Sequence, residues 1–325
     1  MKNILITSIG RRVQLTRAFV QAIENLGCGG KIITVDAGNY VPAAHFSHFH
    51  IKVPGFDSKE YIPSLLDICR KQRVGLLIPL HEKEFAVLDQ AKEEFSKNET
   101  VVMLSSKEVL DICKDKYLTY LFFKEHNINT IPTYYPEAIK SLGDLSFPLF
   151  IKPRTGMGST NSFRINNNGE MAFFLEHVSD PIVQEYIEGI EYTMDVLNDL
   201  NGQCITVVPR ERIEVRSGEV SKSRTTKDWD LINKTKTIAE ALGGVGPLTI
   251  QAFKKENGEI VFIEINPRFG GGVPLAIKAG VNYPALLAEI MSGQRVRPRL
   301  GEFRNNLYML RYDEAIYLEK EDVEK

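Results

Sequence analysis

Along the first hundred residues, apolar positions alternate between unbroken runs and spaced repeats. Residues 3–9 (NILITSI) form one run; Val13, Leu15, Ala18, Phe19, Ala22, Ile23 and Leu26 then recur at helical spacing up to Gly27, and KIITVDA is a second run. A buried run, an amphipathic stretch and another buried run predict strand, helix and strand. The pattern continues with YIPSLLDICRKQ as a helix, VGLLIPL as a buried strand and EKEFAVLDQAKEEFSK as one further helix. Residues 1–108 are therefore expected to form an open parallel α/β sheet, Rossmann-like in architecture, with ligands gathering at the C-terminal ends of its strands.

Beyond VVMLSS the pattern changes. Two helical stretches (KEVLDICKDKYLTYLFFKEH) lead to a turn at Ile131-Pro132 and then to short strands, so residues 109–187 are expected to form a smaller α+β unit. In residues 188–325, the strands YTMDVLN, CITVVPR and LTIQAFKKENGEIVFIEINP surround one helix, NKTKTIAEALG. The last pair reads as a hairpin turned by Asn257-Gly258, a dipeptide suited to a tight β-turn. A helix, NYPALLAEIMSG, follows, then an alternating stretch (NLYMLRY) and an acidic, lysine-containing end expected to fray.

At 325 residues the chain is too long for one small core, and two or three packed units are expected. A formal net charge of -2 gives no nucleic-acid-binding bias. The chain lacks about 18 uninterrupted apolar residues, so no membrane span is expected. Arg11 and Arg12 follow the first apolar run at once, which favours a strand over a signal peptide. The cysteines Cys28, Cys69, Cys113 and Cys204 lie far apart without a CxxC pair, which points to a reducing, cytoplasmic setting.

The chemistry concentrates in three segments. In Ile263-Glu264-Ile265-Asn266-Pro267-Arg268, side chains two apart share a strand face, so Glu264, Asn266 and Arg268 are expected to converge while Ile263 and Ile265 enter the core. Glu264 and Asn266 offer hard oxygen ligands suited to magnesium, with Gln251 opposite them across the hairpin, and Arg268 can fork onto a phosphate or carboxylate. In LFIKPRTGMGSTNSFRI, a strand delivers Lys152 to a glycine-rich loop able to fold over phosphates; it lacks the Walker spacing and joins two strands. In PIVQEYIEGIEYTMDV, a strand ending at Gln184-Glu185-Tyr186-Ile187 offers backbone partners and an apolar slot of the kind an adenine ring needs, with Glu191 just beyond.

Lys116 in a DK pair, Lys152 in IKP, the glycine loop, QEYIEGIEYTMDV, then Gln251 and EINPR stand in an order that resembles the ATP-grasp superfamily. The resemblance is closest to the synthetase halves of carbamoyl phosphate synthase large subunits and related carboxylate-amine ligases, and it covers roughly residues 1–295. It implies a pre-ATP-grasp domain followed by a two-part ATP-grasp domain, and ATP with magnesium, or manganese in its place, as cofactors. It further implies that Lys116 and Lys152 contact phosphates, that Gly156 and Gly158 belong to a closing loop, that Glu185 and Ile187 hold adenine and that Glu191 holds ribose. Gln251, Glu264 and Asn266 would bind the metal, and Arg268 would stabilise the transferring phosphoryl group or an acyl phosphate. A small-molecule acid and an amine are the expected substrates, with a homodimer or a partner subunit as the expected assembly.

This sequence departs from the carbamoyl enzymes by holding one half only and by the glycine-rich FGGGVPLAIKAG after Arg268, which looks more like ligases that accept an amino acid. Arg210, Arg212 and Arg216, near a possible loop, are candidates for the carboxylate-bearing substrate. Two other readings stand beside the ligase: a standalone or split carbamoyl phosphate synthase-like enzyme acting on bicarbonate or carbamate, and a nucleotide-binding module without turnover. Ser8 to Arg12 with Asp36 lacks GxGxxG and is read as a loop with its cap, not a dinucleotide site. His45, His48 and His50 are read as packing or surface groups, and Ser159 and Ser162 as hydrogen-bond donors to phosphate.

Overall fold

A computed structural model describes residues 2–27, 29–139, 146–156, 158, 160–216 and 218–320. The first apolar runs become β1 (Asn3–Thr7), β2 (Ile32–Asp36) and β4 (Val74–Pro79), joined by β3 (Phe49–Lys52) and β5 (Val101–Val102) in a parallel sheet of order β3-β2-β1-β4-β5. Every residue of β4 is buried, as expected for a strand covered by helices on both faces. The order reverses direction between β1 and β4, which places a crevice outside their C-terminal ends.

One detail of this unit differs from the sequence pattern. The expected helix over 82–97 is broken into a 3-10 turn, Glu82–Glu84, and two short helices, Phe85–Gln90 and Lys92–Lys97. Its start is fixed by buried Glu84, whose Oε1 accepts the backbone N–H of Leu80 at 3.1 Å and of His81 at 3.0 Å. The strand β3 draws two histidines into packing: His48 Nδ1 accepts the Ile32 N–H at 3.1 Å, and His50 Nδ1 lies 3.0 Å from Thr34 Oγ1. Desolvation lowers the pKa of both rings, in keeping with packing roles.

Residues 107–125 form helices Lys107–Lys114 and Lys116–Glu125. Asp115 caps the second by accepting from Tyr117 and Leu118 N–H at 2.9 and 3.2 Å, which fixes Lys116 as its first residue. A four-stranded antiparallel sheet of order β6-β9-β7-β8 follows, made of β6 (Thr133–Tyr134), β7 (Leu149–Pro153), β8 (Phe163–Ile165) and β9 (Pro181–Glu185). It has its own apolar cluster of Leu149, Ile151, Ile165, Met171, Val178 and Val183.

The largest sheet is antiparallel in order β14-β13-β10-β11-β12-β15, with β10 (Ile190–Asn198), β11 (Cys204–Arg216), β12 (Glu219–Thr225), β13 (Gly246–Lys254), β14 (Ile260–Asn266) and β15 (Tyr308–Leu310). The basic segment that carries Arg210, Arg212 and Arg216, read as near a possible loop, is a long β11–β12 hairpin, and the alternating tail segment supplies β15 on its edge. One cluster of buried residues runs from Ile4, Ile6 and Phe19 of the first unit to Met194, Ile250 and Ile265 of this sheet, so those two units share a core. Phe19 meets Phe269 edge-on at 6.0 Å between ring centroids. Cys69, Cys113 and Cys204 are free and buried, and Cys28 lies outside the described residues. Among the described residues, no helix is long and apolar enough to cross a membrane.

Candidate active site

The three sheets meet around a cleft of about 790 Å³. Its walls include Lys116, Lys152, Gly156, Gly158, Glu185, Ile187, Glu191, Arg210, Arg212, Gln251, Glu264, Asn266 and Arg268, drawn from the start of the Lys116–Glu125 helix and from the small and large sheets with their loops. Arg216 is not among the lining residues; it lies exposed on the β11–β12 hairpin, paired with Glu214 at 3.0 Å.

The β13–β14 hairpin has Gln251 opposite Glu264. Glu264 Oε1 accepts from Asn266 Nδ2 at 3.1 Å, and Asn266 Oδ1 accepts from Arg268 Nη2 at 3.5 Å. These groups therefore form one contiguous polar row. Ile263 departs from the expected core position. The register slips between Gln251 and Ala252, whose partners are Glu264 and Phe262, so Ile263 is the extra residue of a bulge. A bulge re-aims the side chain it carries. Phe262 and Ile265 stay in the core while Ile263 turns into the cleft, where it joins Ile131, Phe150, Ile187 and Phe253 as apolar wall.

Lys152 stands on β7 at 8% exposure. Burial is the main cause that pushes its pKa down to about 8; Glu264 and Glu191 pull it back up, and Lys116 adds repulsion. A lysine in the small sheet and a carboxylate in the large one thus feel each other across the cleft. Lys116 Nζ donates to the Gly156 carbonyl at 2.9 Å, and Asp115 receives Arg154 Nε at 2.7 Å, so the DK pair holds the base of the glycine loop. At its far side the loop rests on the β11–β12 turn. A Cβ on Gly218 would lie 2.7 Å from the Gly158 carbonyl oxygen, and Gly218 has φ +77°, so only glycine permits this approach. Ser159 lies outside the described residues, while Ser162 lines the cleft.

The arginines of β11 are already engaged. Arg210, 1% exposed, grips Asp195 through Nε at 2.5 Å and Nη2 at 3.0 Å, while its buried Nη1 has no hydrogen-bond partner among the described residues. Arg212 pairs with Glu191 at 2.9 Å, which places an arginine beside the carboxylate expected for ribose. Burial raises the Glu191 pKa, and Arg212 opposes that rise.

Several cleft residues were not site candidates in the sequence. Arg11, Arg12 and His81 reach it from the loops after β1 and β4, and Glu219 from the start of β12. Glu82, beside His81, binds Arg268 at 2.9 Å; burial raises its pKa, Arg268 opposes that and Glu264 reinforces it. Arg11, Arg12, His81 and Glu82 carried one sequence signal, position just beyond a strand's C-terminal end, and Glu219 carried none, because the partners lie far away in the chain.

A metal fits the donor set. Among the described residues, no three acidic, histidine or cysteine side chains form a protein cage for a metal. Magnesium suits instead a site with one or two carboxylates whose shell phosphate and water complete. Glu264 with the side-chain oxygens of Asn266 and Gln251 matches that description.

Residues 4–103 match the family model of the PylC-like N-terminal domain, and residues 113–272 match that of the ATP-grasp domain. The carbamoyl phosphate synthase large chain of Caldanaerobacter subterraneus is 28% identical over 227 residues, covering 63% of this chain and 21% of its own length. That of Methanobrevibacter smithii is 27% identical over 266 residues, covering 77% of this chain and 24% of its own length. The chain thus spans about a fifth to a quarter of these curated relatives. Among solved structures, the biotin carboxylase domain of Hydrogenobacter thermophilus 2-oxoglutarate carboxylase, a dimer in complex with MgADP, ADP and bicarbonate, superposes with TM-score 0.75 at 17% identity, covering 94% of this chain and 73% of that one. N5-carboxyaminoimidazole synthetase from Staphylococcus aureus, complexed with ADP, gives TM-score 0.73 at 18% identity, covering 92% and 79%. With two domain models matched in order along most of its length, the chain belongs to the ATP-grasp superfamily, its ATP-grasp domain preceded by a PylC-like domain.

Proposed function

We propose that the protein is an ATP-dependent carboxylate-amine ligase that activates an acid as its acyl phosphate. The observation that carries this reading is the meeting of buried Lys152 with Glu264 over one cleft, so that phosphate-binding charge and metal-binding oxygen face each other. Lys116 and Lys152 neutralise the triphosphate, and the glycine loop with Gly156 and Gly158 covers it. Glu185 and Ile187 take the adenine edge, with Ile263 against its face, and Glu191 takes ribose. Glu264, Asn266 and Gln251 would hold magnesium, or manganese in its place, which would supply neutralisation of phosphate charge.

Phosphoryl transfer needs positioning and charge more than a protein nucleophile, and these residues supply both. Arg268 stabilises the transferring phosphoryl group while a carboxylate oxygen of the acid attacks the γ-phosphorus and its bond to ADP breaks. The amine nitrogen then attacks the acyl carbon, inorganic phosphate leaves, and the nitrogen gives up its proton. The closed loop excludes water from the mixed anhydride. By analogy with the dimer named for the Hydrogenobacter domain, we expect a homodimer.

The test is magnesium-dependent phosphate release from ATP across a screen of amino acids, other carboxylic acids and bicarbonate, beside a Glu264→Ala control. Acid-stimulated release that disappears in the control supports the ligase. Stimulation by bicarbonate alone favours the carbamoyl phosphate synthase-like alternative, and release surviving Glu264→Ala removes the metal site.

A further inference from the structure

We infer that the crevice between the C-terminal ends of β1 and β4 is a subsite for a second acidic group of the substrate, separate from the carboxylate that is activated. The inference deepens the ligase reading and rests on it. Parallel sheets bind ligands outside the strand ends where the order reverses, and here that point lies between β1 and β4. The loop after β1 brings Arg11 and Arg12 to it, and the loop after β4 brings His81 and Glu82.

The loop after β1 is held in place from behind. Asp36 Oδ2 accepts the Gly10 N–H at 2.9 Å and its Oδ1 accepts the Gly38 N–H at 2.9 Å, so this carboxylate serves the backbone. The positive groups in front outnumber the carboxylates paired with them. Among the described residues, Glu219 is shared by Arg11 at 3.7 Å, Arg12 at 4.0 Å and Arg311 at 3.0 Å. With Arg268 on Glu82, four guanidiniums share these two carboxylates, while the nearby carboxylates of Asp36 and Glu84 are taken up by backbone N–H groups and by Tyr61.

Two of those contacts to Glu219 are longer than a hydrogen bond, so Arg11 and Arg12 keep donors for a ligand. Arg12 is partly covered, and its pKa is lowered by burial and by its cationic neighbours against the pull of Glu219. Crowded guanidiniums at the wall of a cleft are relieved by an anion, and their forked donors match a carboxylate or a phosphate. The turn after Arg268 leaves room for this. A Cβ on Gly271 would come within 2.8 Å of Arg12 Nη1, so a side chain there would displace the arginine head.

The substrate class that follows is an acid with a second anionic group: a dicarboxylate, or a carboxylate bearing a phosphate. The test is thermal-shift titration of the intact protein without ATP, using butyrate, glutarate and 3-phosphoglycerate as probes. The expected result is at least tenfold tighter binding of glutarate or of 3-phosphoglycerate than of butyrate, the stronger of the two identifying the second group. That preference should vanish in Arg12→Met, while the shift produced by MgADP stays as in the wild type. Arg11→Met, at a side chain 72% exposed, serves as a variant whose folding is not at issue and should weaken the same preference several-fold. Equal binding of the three probes, or a preference that survives both substitutions, overturns the subsite. Failure of the ligase reading registers separately, as absence of a MgADP shift or of acid-stimulated phosphate release.

Discussion

Replacing Lys152 with methionine should make the ligand-free protein more stable and the enzyme inactive. The side chain is 8% exposed, and burial brings its pKa from the 10.5 of a free lysine down to about 8. At about 1.4 kcal/mol per tenfold change in proton affinity, the gap corresponds to roughly 3 kcal/mol by which the charged form opposes folding at neutral pH. Between pH 8 and 10.5 the unfolded chain binds this proton and the folded chain releases it. Wild-type stability therefore gains from this site as pH rises through that window and loses it as pH falls through 8.

Methionine keeps most of the apolar stem and removes the charge, so urea melts at pH 7.5 should show Lys152→Met more stable by up to about 3 kcal/mol. The difference should shrink toward zero by pH 10. The same substitution should lower the rate of acid-stimulated phosphate release by about a hundredfold or more, the cost of removing one charge-stabilising donor. A variant that is less stable than wild type at pH 7.5, or a difference that does not change between pH 8 and 10, would refute the account of Lys152 as a destabilised, function-serving charge.

Other outcomes follow from neighbouring contacts. Asp195→Asn leaves Arg210 buried and uncompensated and should cost about 3–5 kcal/mol in denaturant melts, whereas Arg210→Met with Asp195→Leu should recover most of it. Gly218→Ala puts a methyl 2.7 Å from the Gly158 carbonyl and should raise the Michaelis constant for ATP several-fold with an unchanged circular dichroism spectrum; wild-type kinetics would remove the loop contact from the mechanism. Glu264→Gln should lose the magnesium dependence of ADP binding, which for the wild type at a hundred times its dissociation constant stabilises by about 2.7 kcal/mol in a melt. Ile263→Ser should weaken nucleotide binding about tenfold without lowering the melting midpoint by more than a degree or two, because that side chain faces the cleft.

The hairpin carrying Glu264 was legible because its cues are local: Asn257-Gly258 sets the turn, and apolar runs on either side set the strands. Its bulge was not, because one extra residue leaves no trace where the strand begins with the unbroken apolar run IVFI. Likewise the setting of Arg210 and Arg212 near a possible loop was not legible, since the carboxylates that hold them, Asp195 and Glu191, come from β10 and act only once β10 and β11 pair. Arg11 and Arg12 were judged by a missing glycine motif, yet their position depends on Asp36 and their charge on Glu219, 207 residues beyond Arg12. Spacing reveals what a segment does to itself; partners brought in by topology are invisible to it.

The small sheet keeps its own apolar nucleus, apart from the core shared by the other two units. Evolution can therefore soften or stiffen that flap without touching the frame that carries the arginines. Truncations such as Ile151→Val would be felt as a change in how long a nucleotide resides, while the temperature at which the rest of the molecule melts stays put.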